Sequence, residues 1–141
     1  MPYISAWFHV VFSTKNRYPF LNKQIRPKVL EHIKMNAKEK KIFLDCVNGH
    51  DDHIHFLLSL SCDQTLSKVI QLVKGESSFW INKEKLIAEK FGWQDEYFAV
   101  SVSYSKLKQV REYIYGQESH HQKRTFQQEY DEFIRNYEFR K

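Results

Sequence analysis

The sequence predicts an α+β fold, a split βαβ arrangement of the ferredoxin-like or RRM-like kind with an antiparallel sheet. Three observations predict it. Strand-like and helix-like segments follow one another as β-α-β-β-α-β, with further helix behind them. The two middle strand-like runs are separated only by the short polar connection "NGHDD", which suits antiparallel neighbours. No internal repeat, low-complexity stretch or linker interrupts the chain, so residues 1–141 read as a single domain. Helices packed on one face of the sheet and an added C-terminal tyrosine-bearing helix complete the expected architecture.

Each element has its own signal. "YISAWFHVVFST", Tyr3 to Thr14, is rich in aromatic and β-branched residues and reads as the first strand. The basic loop "KNRYPF" follows, and Pro19 stops the strand from continuing. Asn22 is placed to cap a helix reaching about Lys41, with Ile25, Val29, Leu30, Ile33 and Ala37 at helical spacing and Pro27 in the first turn. "KIFLDCVNG" and "HIHFLLSLS" are the second and third strands. Asp63 or Thr65 opens a helix carrying Leu66, Val69, Ile70 and Val73, in which Gly75 is a candidate bend. Lys83 to Phe91 reads as a charged turn or short helix. "EYFAVSVS" is the fourth strand. Ser105 caps a helix through Glu118, with Leu107, Val110, Ile114 and Gln117 near one side, and Thr125 to Phe139 reads as a last helix.

Composition narrows the function classes. Two cysteines, Cys46 and Cys62, make no disulfide framework, and both sit among apolar residues as if reduced and buried. The N-terminal stretch has no basic region ahead of its short, interrupted apolar run, which excludes a signal peptide or membrane span there. A cytoplasmic protein is expected. The net charge is +5, but nine Lys or Arg between Thr14 and Lys41 face only Glu31 and Glu39, a local +7. Beside eleven Phe, eight Tyr and three Trp, such a region suits nucleic acid, with cations on phosphates and rings on unpaired bases. A solvated helix face over an aromatic core explains the same composition, and composition alone favours it.

The stretch "NGHDDHIHFLLSL" carries more information. His53 and His55 are two apart on a predicted strand, so they share a face while Ile54 points to the core. Their β-carbons then lie about 7 Å apart, close enough for both imidazoles to converge on one divalent cation. Nitrogen donors suit Mn, Fe, Co, Ni or Zn better than Mg. Two exposed strand histidines are the plain reading unless a third ligand and a nucleophile join them. The helix "KLKQVREYIYGQESHH" offers both. Tyr113 and Gln117 are four apart and stack on one helix face. The amide of Gln117 has a carbonyl oxygen for a metal, and the phenol of Tyr113 is a nucleophile. A packed aromatic and a solvated glutamine are the alternatives for that pair taken alone. His50 and Asp52 are candidates to assist the metal or bind DNA, although loop polarity explains them adequately, and His9 reads as a core or sheet-face histidine rather than a ligand. His120 and His121 lack a cysteine or acidic partner at zinc spacing.

The stretches "GHDDHIHFLLSL", "VKGESSFWIN", "EYFAVSVS" and "VREYIYGQESHHQKRTFQQEY" together resemble the single-tyrosine transposases of the insertion-sequence 200/605 group, within the His-hydrophobic-His endonuclease superfamily. "WFHVVFSTKNRYPFL" is similar to that family's first strand and basic loop, so the likeness runs from about Trp7 to Phe133. The resemblance implies that His53 and His55 bind a metal, that Gln117 is its third ligand, and that Tyr113 attacks a DNA phosphodiester to form a 5′-phosphotyrosine. It also implies Mg2+ or Mn2+, a homodimer, single-stranded hairpin DNA as substrate, no nucleotide cofactor, no membrane, and a bacterial or archaeal source. Lys15, Arg17, Lys23 and Lys28 become the expected phosphate contacts. Three residues or stretches depart from the family pattern: Tyr115 beside the nucleophile, Glu76 where a small or neutral residue is usual, and "DEYFAV" without preceding glycines. Two rival functions share the fold. One is a domesticated binder of hairpin nucleic acid that no longer cuts; the other is a metal-dependent RNA endonuclease with no covalent tyrosine.

Overall fold

β1, Trp7–Ser13, alternates its side chains between two apolar environments, and this alternation organises the whole chain. In the computed structural model, which describes residues 2–117 and 125–140, Phe8, Val10 and Phe12 face one core while Trp7 faces another. The sheet has the order β2-β3-β1-β4, with β2 spanning Phe43–Gly49, β3 His53–Ser59 and β4 Phe98–Val102. Every neighbouring pair is antiparallel. This is the expected split βαβ topology, and its α+β class follows from it.

The first core lies under α1, Arg26–Glu39, and α2, Leu66–Lys83. Val29, Ile33 and Ala37 of α1 and Val69, Ile70, Val73 and Ile81 of α2 are buried there with Ile54, Phe56 and Leu58 of β3. Each fully buried aliphatic side chain contributes on the order of 1.5–3 kcal/mol of transfer free energy. Asn22 does not cap α1 itself. Its Oδ1 accepts from the backbone N–H groups of Gln24 and Ile25, so it closes the turn ahead of the helix, and Pro27 lies in the first turn. Thr65, rather than Asp63, caps α2 by accepting from Lys68 N–H. The helix runs through Gly75 without a break.

The opposite face is covered too. α3, Leu107–Tyr115, follows a 3-10 turn at Tyr104–Lys106 and buries Leu107 and Ile114 against Cys46 and Leu57. α4, Phe126–Asn136, opens with a Thr125–Gln128 capping box and buries Phe126 and Glu129. A bulge in β2 makes the second core possible. Leu44 pairs with Leu58 and Cys46 with Leu57, so Asp45 is the extra residue and the side-chain alternation changes phase. Leu44 accordingly packs with the first core and Cys46 with the second. Burial, helped by Asp45, pushes the Cys46 thiol up to about 11, which keeps it an inert apolar filler. Cys62 departs from expectation and is exposed, because it lies in the polar turn after β3 rather than in a strand. No helix among the described residues is long and apolar enough to cross a membrane.

Candidate metal centre

The loop that leads into His53 is held from three sides. Asp52 O accepts from Thr14 N–H at 2.8 Å, Asp51 O accepts from Leu21 N–H at 2.8 Å, and the Asp51 carboxylate accepts from the buried Arg26 guanidinium at 2.8 Å. Gly49 is needed at the start of this loop because of close approach. A β-carbon there would stand 2.3 Å from the carbonyl oxygen of His53. Gly49→Ala is expected to destabilise the protein by about 1–3 kcal/mol through forced backbone displacement, read as a lower urea midpoint with an unchanged slope.

β3 then alternates as its sequence dictates. Ile54 enters the first core, and His53 and His55 stand on the other face, each fully buried. Their rings lie 5.1 Å apart between centroids. Asp52 Oδ1 sits 2.8 Å from His53 Nδ1, which leaves Nε2 directed to Gln117 Oε1 at 3.2 Å. Gln117 is itself fully buried. Its amide nitrogen donates to Tyr113 O at 3.4 Å, and this turns the amide oxygen toward His53. His55 Nδ1 lies 2.8 Å from His9 Nε2, and His55 Nε2 lies 2.7 Å from Glu129 Oε1. Desolvation, and then His55, push the His9 pKa down to about 3 against the pull of Glu129, so His9 is neutral.

Tyr113 reaches the same place from α3. Its ring centroid is 5.7 Å from that of His55 and 5.9 Å from that of His9. It lines a cavity of about 210 Å³ with His9, Val110, Glu129 and Phe133. Two clamps fix α3 there. Arg111 donates to both oxygens of Asp45, the bulge residue, at 2.8 Å each. Asn48 donates to Ile114 O and Tyr115 O at 3.0 and 3.1 Å, satisfying carbonyls at the helix end. Tyr115 points away and is 60% exposed.

Of the residues singled out from sequence, the structure therefore brings His53, His55, Gln117 and Tyr113 together within one chain. It adds Glu129, which sequence reasoning passed over. Glu129 is 1% exposed on α4, and one ligand atom from each of His53, His55 and Glu129 lies within 4.8 Å of the others. Two metal–donor bonds of about 2.0–2.5 Å span such a distance. Two imidazoles, a carboxylate and an adjacent amide oxygen form a donor set that suits Mn, Fe or Zn and accepts Mg. The signal for Glu129 was present: Phe126, Glu129 and Phe133 share one helix face, and an acid inside an apolar stripe needs a buried partner.

The basic residues divide. Lys15, Lys23 and Lys28 are exposed. Arg17 instead lies over the rings of Phe126 and Tyr130, at 5.2 and 5.1 Å from their centroids, and donates to Gln127. It ties α4 to the loop after β1. Glu76 pairs with His32, which stacks on Trp80 at 3.9 Å, so it joins α1 to α2 on the face away from the histidines. His120 and His121 lie outside the described residues.

Comparison with known proteins gives a family and a fold. A family model described as "Transposase IS200 like" matches residues 3–117. The fold is similar to the crystal structure of a candidate transposase from Deinococcus radiodurans R1, with a TM-score of 0.66 and 19% identity over 83% of this chain and 95% of that one. It is also similar to a REP-associated tyrosine transposase bound to a REP hairpin, with a TM-score of 0.62 and 18% identity over 86% of this chain and 72% of that one. No curated protein sequence matches at a significant level.

Proposed function

Because the chain belongs to the IS200-like transposase family, we propose that it cleaves and rejoins single-stranded DNA at hairpin-marked ends through a 5′-phosphotyrosine on Tyr113. In this reading Mg2+ or Mn2+ is held by His53, His55 and Gln117, with Glu129 as a further donor. One observation carries the reading: the Tyr113 ring stands 5.7 Å from that of His55, beside a buried donor set, within one chain.

The chemistry follows from the groups present. A free phenol has a pKa of about 10 and is a weak nucleophile at neutral pH. When bound, the cation supplies Lewis acidity to phosphoryl oxygens and a positive field that favours phenolate. Tyr113 Oη attacks phosphorus, the bond from phosphorus to the 3′ oxygen breaks, and that oxygen takes a proton. The 5′ phosphate remains on Tyr113. Attack by another 3′ hydroxyl reverses the exchange and frees the phenol. One phosphoester replaces another at each step, so no nucleotide cofactor is required. His9 and His55 flank the ring, while the Asp45–Arg111 and Asn48 clamps hold its helix in register.

Lys15, Lys23 and Lys28 supply phosphate contacts in this reading. Arg17 joins them only when its guanidinium leaves the Phe126 and Tyr130 rings. The reading also includes a two-fold homodimer joined at a sheet edge. β2 and β4 are the edges, and Phe43 on β2 is 60% exposed. Light scattering at micromolar protein is expected to give twice the chain mass; the chain mass alone removes the dimer and leaves the site within one chain intact.

Incubation with end-labelled single-stranded hairpin DNA and Mn2+, followed by denaturing electrophoresis, tests the activity. A protease-sensitive retarded band is the expected product. Cleavage without that band identifies a metal nuclease instead. Hairpin binding with neither cleavage nor adduct identifies a domesticated binder.

A further inference from the structure

We infer that His9 is a positioning residue for the metal centre: its Nε2 accepts the Nδ1 proton of His55 and thereby commits His55 Nε2 to the cation. The inference rests on the metal-binding reading above and concerns a residue outside the donor set. His9 is on β1, paired opposite Leu57 and so diagonal to His55 on the same sheet face. It is 5% exposed, and its Nε2 is 2.8 Å from His55 Nδ1. The two rings stack with centroids 5.1 Å apart and planes 28° apart.

An imidazole ligates through one nitrogen, and the hydrogen bond at the other selects which. Each histidine here has a separate partner at Nδ1. Asp52 serves His53 from the preceding residue, at 2.8 Å. His55 is followed by Phe56 and preceded by Ile54, both turned into the opposite core, so no chain neighbour can serve it. Its partner comes from the adjacent strand, and the residue there is His9. With His55 Nε2 on a cation, the remaining ring proton is at Nδ1, and His9 Nε2 is the acceptor within reach. Tyr113 and Phe133 enclose His9 edge-on, at centroid distances of 5.9 and 5.8 Å, and stop the ring from turning away.

The test is calorimetric titration of Mn2+ into the full-length protein without DNA. His9→Phe keeps a ring and removes the acceptor; His9→Gln keeps a polar atom able to accept near the Nε2 position. Metal-free thermal unfolding of each variant verifies the fold. His9→Phe is expected to weaken Mn2+ binding by about 10- to 100-fold, and His9→Gln to recover most of that loss. Equal affinity for wild type and His9→Phe overturns the inference. So does equal weakening by both substitutions at matched stability, which is the signature of packing alone. Nitrogen NMR of the wild-type protein loaded with diamagnetic Zn2+ gives a readout that needs no variant. A protonated, exchange-protected Nδ1 on His55 supports the assignment, and a metal-bound Nδ1 refutes it. If wild type binds neither ion, the metal-binding reading fails and this inference with it, whereas tight binding that ignores His9 removes only the inference.

Discussion

Tyr113→Phe is expected to lower cleavage and rejoining by at least about 10⁴-fold and to abolish the covalent protein–DNA adduct, with metal and DNA affinity kept within about twofold. The substitution deletes one hydroxyl and leaves the ring that packs against the cluster of Cys46, Leu57, Leu107 and Ile114. His53, His55, Gln117 and Glu129 are untouched, so a Mn2+ titration should superimpose on wild type. Tyr115→Phe is the control. That ring is 60% exposed on the far side of α3, and burial with Asp45 nearby holds its phenol above the ordinary tyrosine range, the wrong direction for a nucleophile. The control should therefore keep the adduct. An adduct that survives Tyr113→Phe and disappears in Tyr115→Phe would mean that the nucleophile has been misassigned.

His53→Ala should act on binding and chemistry together. Its Nε2 is removed from beside Gln117 Oε1, and the Asp52 carboxylate loses the imidazole it orients. Mn2+ affinity is expected to fall by more than about 100-fold, beyond the usual cost of losing an outer partner alone, and adduct formation should fall with it although Tyr113 remains. Stability should drop as well. The His53 ring stacks on Phe126 with centroids 4.2 Å apart, and its loss leaves a void between β3 and α4 worth about 2–4 kcal/mol. Titration calorimetry and urea unfolding on one preparation separate the two effects. Normal metal affinity in His53→Ala would remove the histidine pair from the proposed centre.

Where the sequence was legible, a short periodicity was responsible. A period of two placed His53 and His55 opposite Ile54, and a spacing of four stacked Gln117 over Tyr113; both relations reappear in the structure. The strand and helix order was legible for the same reason, because the spacing of apolar residues changes between the strand and helix periods from run to run. What was missed depends on contacts between distant segments. Glu129 looks like an ordinary helix acid until α4 is docked against His55, 74 positions earlier in the chain. The contacts of Arg17 with the Phe126 and Tyr130 rings likewise join segments far apart in the chain. The β2 bulge was invisible because "FLDCVNG" alternates acceptably in either phase, and only pairing with β3 makes Asp45 the extra residue. Cys62 was misread for a simpler reason: the apolar run preceding it had already ended.

Coverage of both sheet faces has a consequence for how a strand of DNA can be read. In RRM domains of related topology, a sheet face serves as an open table on which unpaired bases lie flat against aromatic side chains. Here that table is already laid. Phe98 meets Tyr130 at 4.9 Å and Phe133 at 6.2 Å, and His53 meets Phe126 at 4.2 Å, so rings that would have taken bases take one another. Under the proposed function the sequence of the strand must be read from the rim. The rim holds a groove of about 750 Å³ in which Lys15 and Lys90 stand beside Tyr18 and Phe20, cations and rings within one opening. A polynucleotide would pass around this protein as around a pulley, touching its edge, with only the reacting phosphate turned inward.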